Sequence, residues 1–332
     1  MNIAIIGGGW VGCHLAMKLK DDHDITIFEK NKELFKESSY KNQNRLHCGY
    51  HYARNSKTRN LCQETFDVFL SDYGFLTKEV NKNIYCVPET KSIVDYGTYM
   101  EIFKNYDYNN TEHNFKNIVG CIDTKERYIN FYEAIKFFNK ELEKYVIRTN
   151  VTKHKLKKLK DKYDLVINCT NNHIHDDNYK NSFYELTISL IYKKIKDVDF
   201  GALTLVDGEF FSIYPYMDNI LYTVTDVTHT PIKKFNTIQS LKKFENSINN
   251  EFVNKKKTLI ETKILSYYPE FLENFKYYSY FTSTKSKFIS ESDDRYPIIS
   301  KNNNLINCFT GKIQGIYVIE KYIKSVINGH EI

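Results

Sequence analysis

Gly7-Gly8-Gly9-Trp10-Val11-Gly12 sets Gly7, Gly9 and Gly12 at the spacing that lets a backbone wrap a phosphate. Gly7 permits a tight turn, Gly9 lets the main chain approach a pyrophosphate, and Gly12 lets a helix lie close on a strand. Trp10 and Val11 belong to the same loop. Glu29 follows Gly7 by 22 residues, the distance at which a carboxylate accepts from a ribose hydroxyl, and Lys30 stands beside it. The chemistry these residues can do is dinucleotide binding, with FAD and NAD both open on this spacing alone.

The elements around the glycines must hold them in place. Asn2 to Ile6 is a short apolar run that reads as a buried parallel strand. Cys13 to about Lys20 reads as a helix whose first N–H groups and dipole favour an anion, and Asp24 to Glu29 as a second strand. The 332 residues are 42% hydrophobic and 27% charged, which predicts folded domains rather than a disordered chain. A net charge of +6 mildly favours anionic ligands; without a basic, aromatic-interleaved patch it does not point to nucleic acid. The densest basic stretch, His154 to Lys162, reads as a solvated hairpin or helix end. The seven cysteines form no CxxC pair and no metal-like cluster, so a reduced, cytoplasmic protein without a metal is expected. No signal peptide and no membrane span are expected, since the chain runs straight into a strand and lacks a long apolar run.

Further residues separate the two cofactors. Ser38 to Asn55 is a serine- and asparagine-rich loop leading to His47-x-Gly49-x-x-Tyr52, with Ser56 to Arg59 behind it. Asp164 to Thr170 reads as a strand ending in a turn at Asn171, where left-handed geometry is tolerable for Asn. Asp293-Asp294-Arg295-Tyr296-Pro297-Ile298 precedes a strand at Asn304 to Phe309 and the turn Thr310-Gly311-Lys312-Ile313-Gln314-Gly315-Ile316. In this order the segments resemble the D-amino-acid-oxidase-like (DAO) superfamily of FAD-dependent oxidoreductases, nearest the 2-hydroxyglutarate oxidase-like branch. Asn171 departs from the glycine usual there.

The resemblance implies an α/β plus β fold: a Rossmann-type (glutathione-reductase-like) FAD-binding domain with an inserted mixed α+β substrate domain. The FAD domain is expected at 1–80, 145–175 and 285–332, and the substrate domain at 81–144 and 176–284, where Tyr184 to Leu186, Val206 to Tyr216 and Tyr222 to Thr230 read as strands. It implies FAD as cofactor, held by the glycine loop, Glu29 and Lys30, by Asn44, Arg45, Leu46 and His47, by Val151, Thr170 and Asn171, and by Gly311 to Ile316. The start of the C-terminal helix is expected to stabilise negative charge.

His47, Tyr52 and Arg295 are the catalytic candidates. A neutral His47 can accept a proton from a substrate hydroxyl or amine, tune the flavin, or attach to it. His51 is a second choice beside Tyr52. Arg45, Arg54 and Arg295 are candidate carboxylate clamps, with Arg59 nearby. Tyr214, Tyr216, Lys285 and Lys287 are candidate substrate contacts. Cys48 and Cys169 lack an ordering partner and are rejected as nucleophiles. The function expected is hydride removal from a small polar amine, amino acid or 2-hydroxy acid, possibly sugar-linked. The alternatives are a flavin-dependent mutase or isomerase without net oxidation, and a flavin- or nucleotide-binding protein that has lost catalysis. The electron acceptor and the oligomeric state are left open.

Overall fold

Ile3, Ala4, Ile5 and Ile6 are buried on both faces of a strand, as a central parallel strand requires. Around it, a computed structural model that describes residues 1–174, 182–218, 220–289 and 294–330 forms a six-stranded sheet. Its spatial order is Ile298–Asn302, Leu305–Phe309, Leu165–Asn168, Asn2–Ile6, Asp24–Glu29 and Val146–Arg148. All neighbours are parallel except the first two, which form an antiparallel hairpin.

The helices flanking this sheet bury one stripe each. Phe131–Leu142 buries Phe131, Ala134, Phe138 and Leu142, and Ile316–Ile327 buries Ile316, Ile319 and Ile323. The first helix spans Trp10–Leu19, three residues earlier than the sequence suggests, because Gly9 already serves as its N-cap. The lysine-rich stretch is also more than a solvated surface. Lys153–Lys162 is a helix capped by Thr152, and Leu156 and Leu159 turn into the core.

Backbone contacts divide the chain into two compact units. Met1–Tyr40, Phe131–Phe183 and Ser286–Ile332 make the first; Lys41–Asn130 and Tyr184–Lys285 make the second. The borders differ most from the expected ones at two places. Residues 41–80 join the second unit because Arg45–Leu46 and Thr77–Glu79 both pair with Arg127–Ile129. Residues 131–144 join the first because Phe138 packs on Trp10 and Phe35, with centroids 5.3 and 5.1 Å away.

The second unit is built on a nine-stranded sheet. Its path runs Pro231–Phe235, Ser182–Lys194, Leu221–Asp226, Phe211–Met217, Ala202–Leu205, Asn83–Pro88, Ile118–Thr124 and Tyr108–Thr111, and Phe275–Phe288 also pairs with Ser182–Lys194. The strands expected at 184–186, 206–216 and 222–230 are present, with the second starting only at Phe211 and the third ending at Asp226. Cys86 and Cys121 face each other across two antiparallel strands and are disulfide-bonded, which corrects the expectation of seven reduced thiols. Spacing along the chain carried no hint of this pair, because it is the strand register that brings together residues 35 apart. Among the described residues, no helix is long and apolar enough to cross a membrane.

Candidate active site

In the first unit, five parallel strands end at one edge of the sheet. Ile6 is in register with Phe28 and Asn168, Asn168 with Asn307, and Glu29 with Arg148. The chain leaves these strands through Gly7–Gly12, Glu29–Lys30, Val151, Thr170–Asn171 and Gly311–Ile316. The topology therefore gathers at the carboxyl edge all the cofactor candidates this unit carries, where open α/β sheets take ligands.

The glycines are required by space. Gly7 has φ +103°, and a Cβ there would lie 2.8 Å from the Cys169 carbonyl oxygen. A Cβ on Gly12 would fall 1.9 Å from the Gly7 carbonyl oxygen, so the first helix lies directly on the turn. On Gly9 it would meet Ser39 Oγ at 2.8 Å. Gly8 N–H donates to buried Glu29 Oε2 at 2.7 Å, while Glu29 Oε1 accepts from Asn31 N and Nδ2, both at 2.8 Å. Each carboxylate oxygen can take two bonds, so Oε2 retains accepting capacity for a hydroxyl.

The other candidates of this unit are placed as follows. The Trp10 ring is buried among aromatics, and its backbone N–H donates to Ser39 Oγ at 3.1 Å. Lys30 is half exposed and pairs with Glu37 at 2.7 Å. Val151 is core. Asn171 has φ +54°, so asparagine does hold the left-handed turn where glycine is usual. Thr170 Oγ1 donates to Asn168 Oδ1 at 2.8 Å. A Cβ on Gly315 would strike Thr310 Oγ1 at 2.1 Å, and on Gly311 would touch Arg295 Cδ at 3.2 Å. Arg295 is half-buried beneath that turn. Asp293, expected beside it, and His175 lie outside the described residues. The Cys169 thiol is raised by its hydrogen bond with Cys308 and by burial, which keeps it protonated and inert.

In the second unit, Asn44–Asn55 gathers the remaining candidates. Asn44 has φ +53° and is 3% exposed, yet its Nδ2 has no hydrogen-bond partner among the described residues. Leu46 is fully buried. His47 is buried, with His51 and Tyr52 rings at 5.8 and 5.4 Å and Glu126 Oε1 3.5 Å from its Nδ1. Behind them Arg59 donates to the Tyr52 and Ala53 carbonyls at 3.0 and 2.8 Å, fastening the loop to the helix Ser56–Tyr73.

The five expected substrate contacts of this unit have the following surroundings. Arg45 is buried and both terminal nitrogens of its fork are engaged inside the unit: Nη1 donates to Tyr85 Oη at 3.0 Å, and Nη2 to Thr204 Oγ1 at 2.9 Å and Ser212 Oγ at 2.6 Å. Its Nε has no hydrogen-bond partner among the described residues. Its guanidinium also lies 3.8 Å from the Tyr214 ring centroid, so Tyr214, whose hydroxyl donates to the Arg127 carbonyl, is structural. Arg54 is paired with Asp207. Tyr216 is buried and stacks on Phe281, and Lys285 is exposed on a long strand.

Glu126 was missed by sequence reasoning. It is 1% exposed and accepts from Cys48 N–H at 2.8 Å, Tyr85 Oη at 2.7 Å and Asn83 Nδ2 at 3.3 Å. Nothing in Asp123-Thr124-Lys125-Glu126-Arg127 marks one acid as buried; its partners are all distant in sequence. Burial, with Glu126 next, pushes the Cys48 thiol and the Tyr85 hydroxyl well up.

Comparison with known proteins decides the family. The chain is 32% identical over 340 residues to the FAD-dependent monooxygenase FPY4 of Fusarium mangiferae, across 98% of this chain and 91% of the relative. The family model described as DAO, FAD dependent oxidoreductase, matches residues 2–90.

The chain belongs to the DAO family of FAD-dependent oxidoreductases.

A shorter likeness, 37% over 81 residues, links this DAO protein to the mitochondrial L-2-hydroxyglutarate dehydrogenase of Caenorhabditis briggsae, over 24% of this chain and 18% of that one. Among solved structures, the dithionite-reduced L-alpha-glycerophosphate oxidase of Mycoplasma pneumoniae with FAD bound shares the fold at TM-score 0.69 and 12% identity, covering 98% of this chain and 94% of that one. The protein is thus an enzyme that uses FAD, on a Rossmann-type domain with a second domain. Its residues fit that cofactor. The glycine cradle has no room for side chains, and Glu29 can accept a further bond.

Proposed function

We propose that this enzyme removes a hydride from the carbon bearing a hydroxyl or amino group in a small polar substrate, an amine, an amino acid or a 2-hydroxy acid. The observation that carries the reading is the buried His47 imidazole held beside a buried carboxylate in the segment that resembles the family's flavin-contacting loop. FAD, when bound, supplies the two-electron acceptor. Gly7 to Gly12 and the start of the first helix would hold its phosphates, and Glu29 a ribose hydroxyl. The backbone N–H groups of Gly311 to Ile316 would offset negative charge. His47 would take the proton of the substrate hydroxyl or amine, and His51 and Tyr52 would wall the imidazole. Arg295, half-buried beside Gly311 at the start of the C-terminal turn, is the carboxylate-binding candidate.

The full-length likeness to a protein named a monooxygenase favours a second reading, insertion of oxygen into the product. The two differ in what bleaches the flavin. Purified enzyme is mixed without oxygen with a panel of amino acids, amines and 2-hydroxy acids, and separately with reduced nicotinamide nucleotides. Loss of the visible flavin band with a substrate alone, and a product two hydrogens lighter, is the result expected. Bleaching only by the nicotinamide, and label in the product once heavy-isotope oxygen is admitted, establishes the second reading instead.

A further inference from the structure

Four side chains of the second unit form a continuous buried chain. Arg45 donates to Tyr85, Tyr85 donates to Glu126, and Glu126 Oε1 stands 3.5 Å from His47 Nδ1. A carboxylate this deep must be paired and hydrogen-bonded to remain charged. Three donors hold it, and Arg45 supplies the compensating cation through Tyr85. Burial alone would lower the affinity of Arg45 for its proton, but Tyr85, Tyr214 and Glu126 raise it above the ordinary value. Tyr85 and Asn83 fix Oε2, while Cys48 N–H fixes Oε1 on the side of His47.

We propose that Glu126 is the positioning residue for His47: it holds the imidazole with Nδ1–H toward the carboxylate, leaves Nε2 to take the substrate proton, and stabilises the resulting imidazolium. This rests on the function proposed above. In the step, the O–H or N–H proton passes to Nε2, its bond pair forms the C=O or C=N bond, and the C–H pair leaves as hydride to FAD. At 3.5 Å the two groups are in ion-pair contact without a hydrogen bond, and catalytic contacts of this kind often tighten only when substrate binds.

Other titratable groups around the pair come from each packed element. The loop itself presents Cys48, Tyr50, His51 and Tyr52. The helix Ser56–Tyr73 presents Cys62, and the helix Tyr96–Phe103 presents Tyr99. The strand Phe211–Met217 presents Tyr214. Burial first, and Glu126 in each instance, raises Tyr50, Cys62, Tyr99 and Tyr214, so these stay neutral near neutral pH. Asp67 and Asp107 act on Cys48 only after burial and Glu126.

The test uses the full-length, flavin-loaded enzyme and the variants Glu126→Gln, Glu126→Asp and His47→Asn. An opposite charge at this range moves an acid–base midpoint by about one to three pH units. The acid limb of kcat/KM in Glu126→Gln is therefore expected to shift to lower pH by that amount, and Glu126→Asp to restore part of it. His47→Asn should lose the limb and about 10²–10⁴-fold in rate. An unmoved limb in a folded Glu126→Gln enzyme overturns the positioning role while leaving His47 as base. A His47→Asn enzyme with full rate and limb overturns the base reading itself. Nitrogen-15 NMR of the His47 ring in the wild-type protein gives an answer that no variant has to fold for. Neutral His47 protonated on Nδ1 is expected, and protonation on Nε2 instead refutes the proposal.

Discussion

Replacing Gly12 by alanine tests the nucleotide turn at its tightest point. The added Cβ would lie 1.9 Å from the Gly7 carbonyl oxygen and 3.1 Å from its carbon. Real Cβ atoms keep at least 3.0 Å from such an atom, so the backbone must open by 3.0 − 1.9 = 1.1 Å. Movement of a flexible side chain cannot relieve this, because the nearest obstacle is the Gly7 main chain. Overpacking of this kind costs about 1–3 kcal/mol. The same shift draws the first N–H groups of the helix Trp10–Leu19 away from the phosphates. Loss of about 1.4–2.8 kcal/mol there weakens FAD binding roughly 10- to 100-fold. The assay is flavin absorbance per protein after gel filtration, with thermal unfolding followed in parallel. A fall of several degrees is expected at about 2–4 °C per kcal/mol. Gly74→Ala is the control: its Cβ would find nothing nearer than Leu70 Cβ at 3.8 Å, at φ −55°, so it should retain flavin and gain about 0.4–1 kcal/mol. A Gly12→Ala protein with full flavin and unchanged unfolding temperature refutes the reasoning.

Arg45→Met separates a structural arginine from a ligand-binding one. Removing the cation leaves Glu126 buried without its compensating charge, so urea unfolding should show a loss of about 3–5 kcal/mol; a stable variant with only a raised KM would return Arg45 to the substrate. In the first unit, burial would raise Glu320, but hydrogen bonds from His14 at 2.9 Å and from Lys324 hold its carboxyl down at about 2 instead of the ordinary 4.5. A depressed carboxyl contributes stability above its unfolded value and loses it as pH falls through the folded one. The urea midpoint gap between wild type and Glu320→Gln should therefore be full near neutrality and close between pH 4.5 and about 2. A gap that persists at the acid end would show that the pair acts through packing instead.

The first unit was legible because its signals are local. Strand, glycines, helix and terminal Glu29 follow one another within 30 residues, and Gly12 answers to a clash with the Gly7 carbonyl that the turn itself creates. The turn at Asn171 was readable for the same reason, since the left-handed angle is a property of one residue. The second unit obeys distance in space. Arg45 looks like a clamp in sequence because it lies between Asn44 and His47; only the strands bearing Tyr85, Thr204 and Ser212 reveal that both its terminal nitrogens bond protein hydroxyls. Cys86 and Cys121 are hidden in the same way, as is Glu126, whose Cys48 partner lies 78 residues away.

One physical consequence ties the misread residue to the missed one. A carboxylate beside a buried imidazole is useful only while it stays ionised, and a protein interior opposes that unless a cation is built in. Arg45 is that cation, buried and linked to Glu126 by one phenol. Its place two residues before His47 then has a reason. The loop that carries the candidate base also carries, on the strand Arg45–Leu46, the charge that keeps the carboxylate of that base supplied with a partner. Substituting either end should therefore be felt at the other, and a double substitution of Arg45 and Glu126 by apolar and neutral residues should cost less stability than the sum of the two single changes.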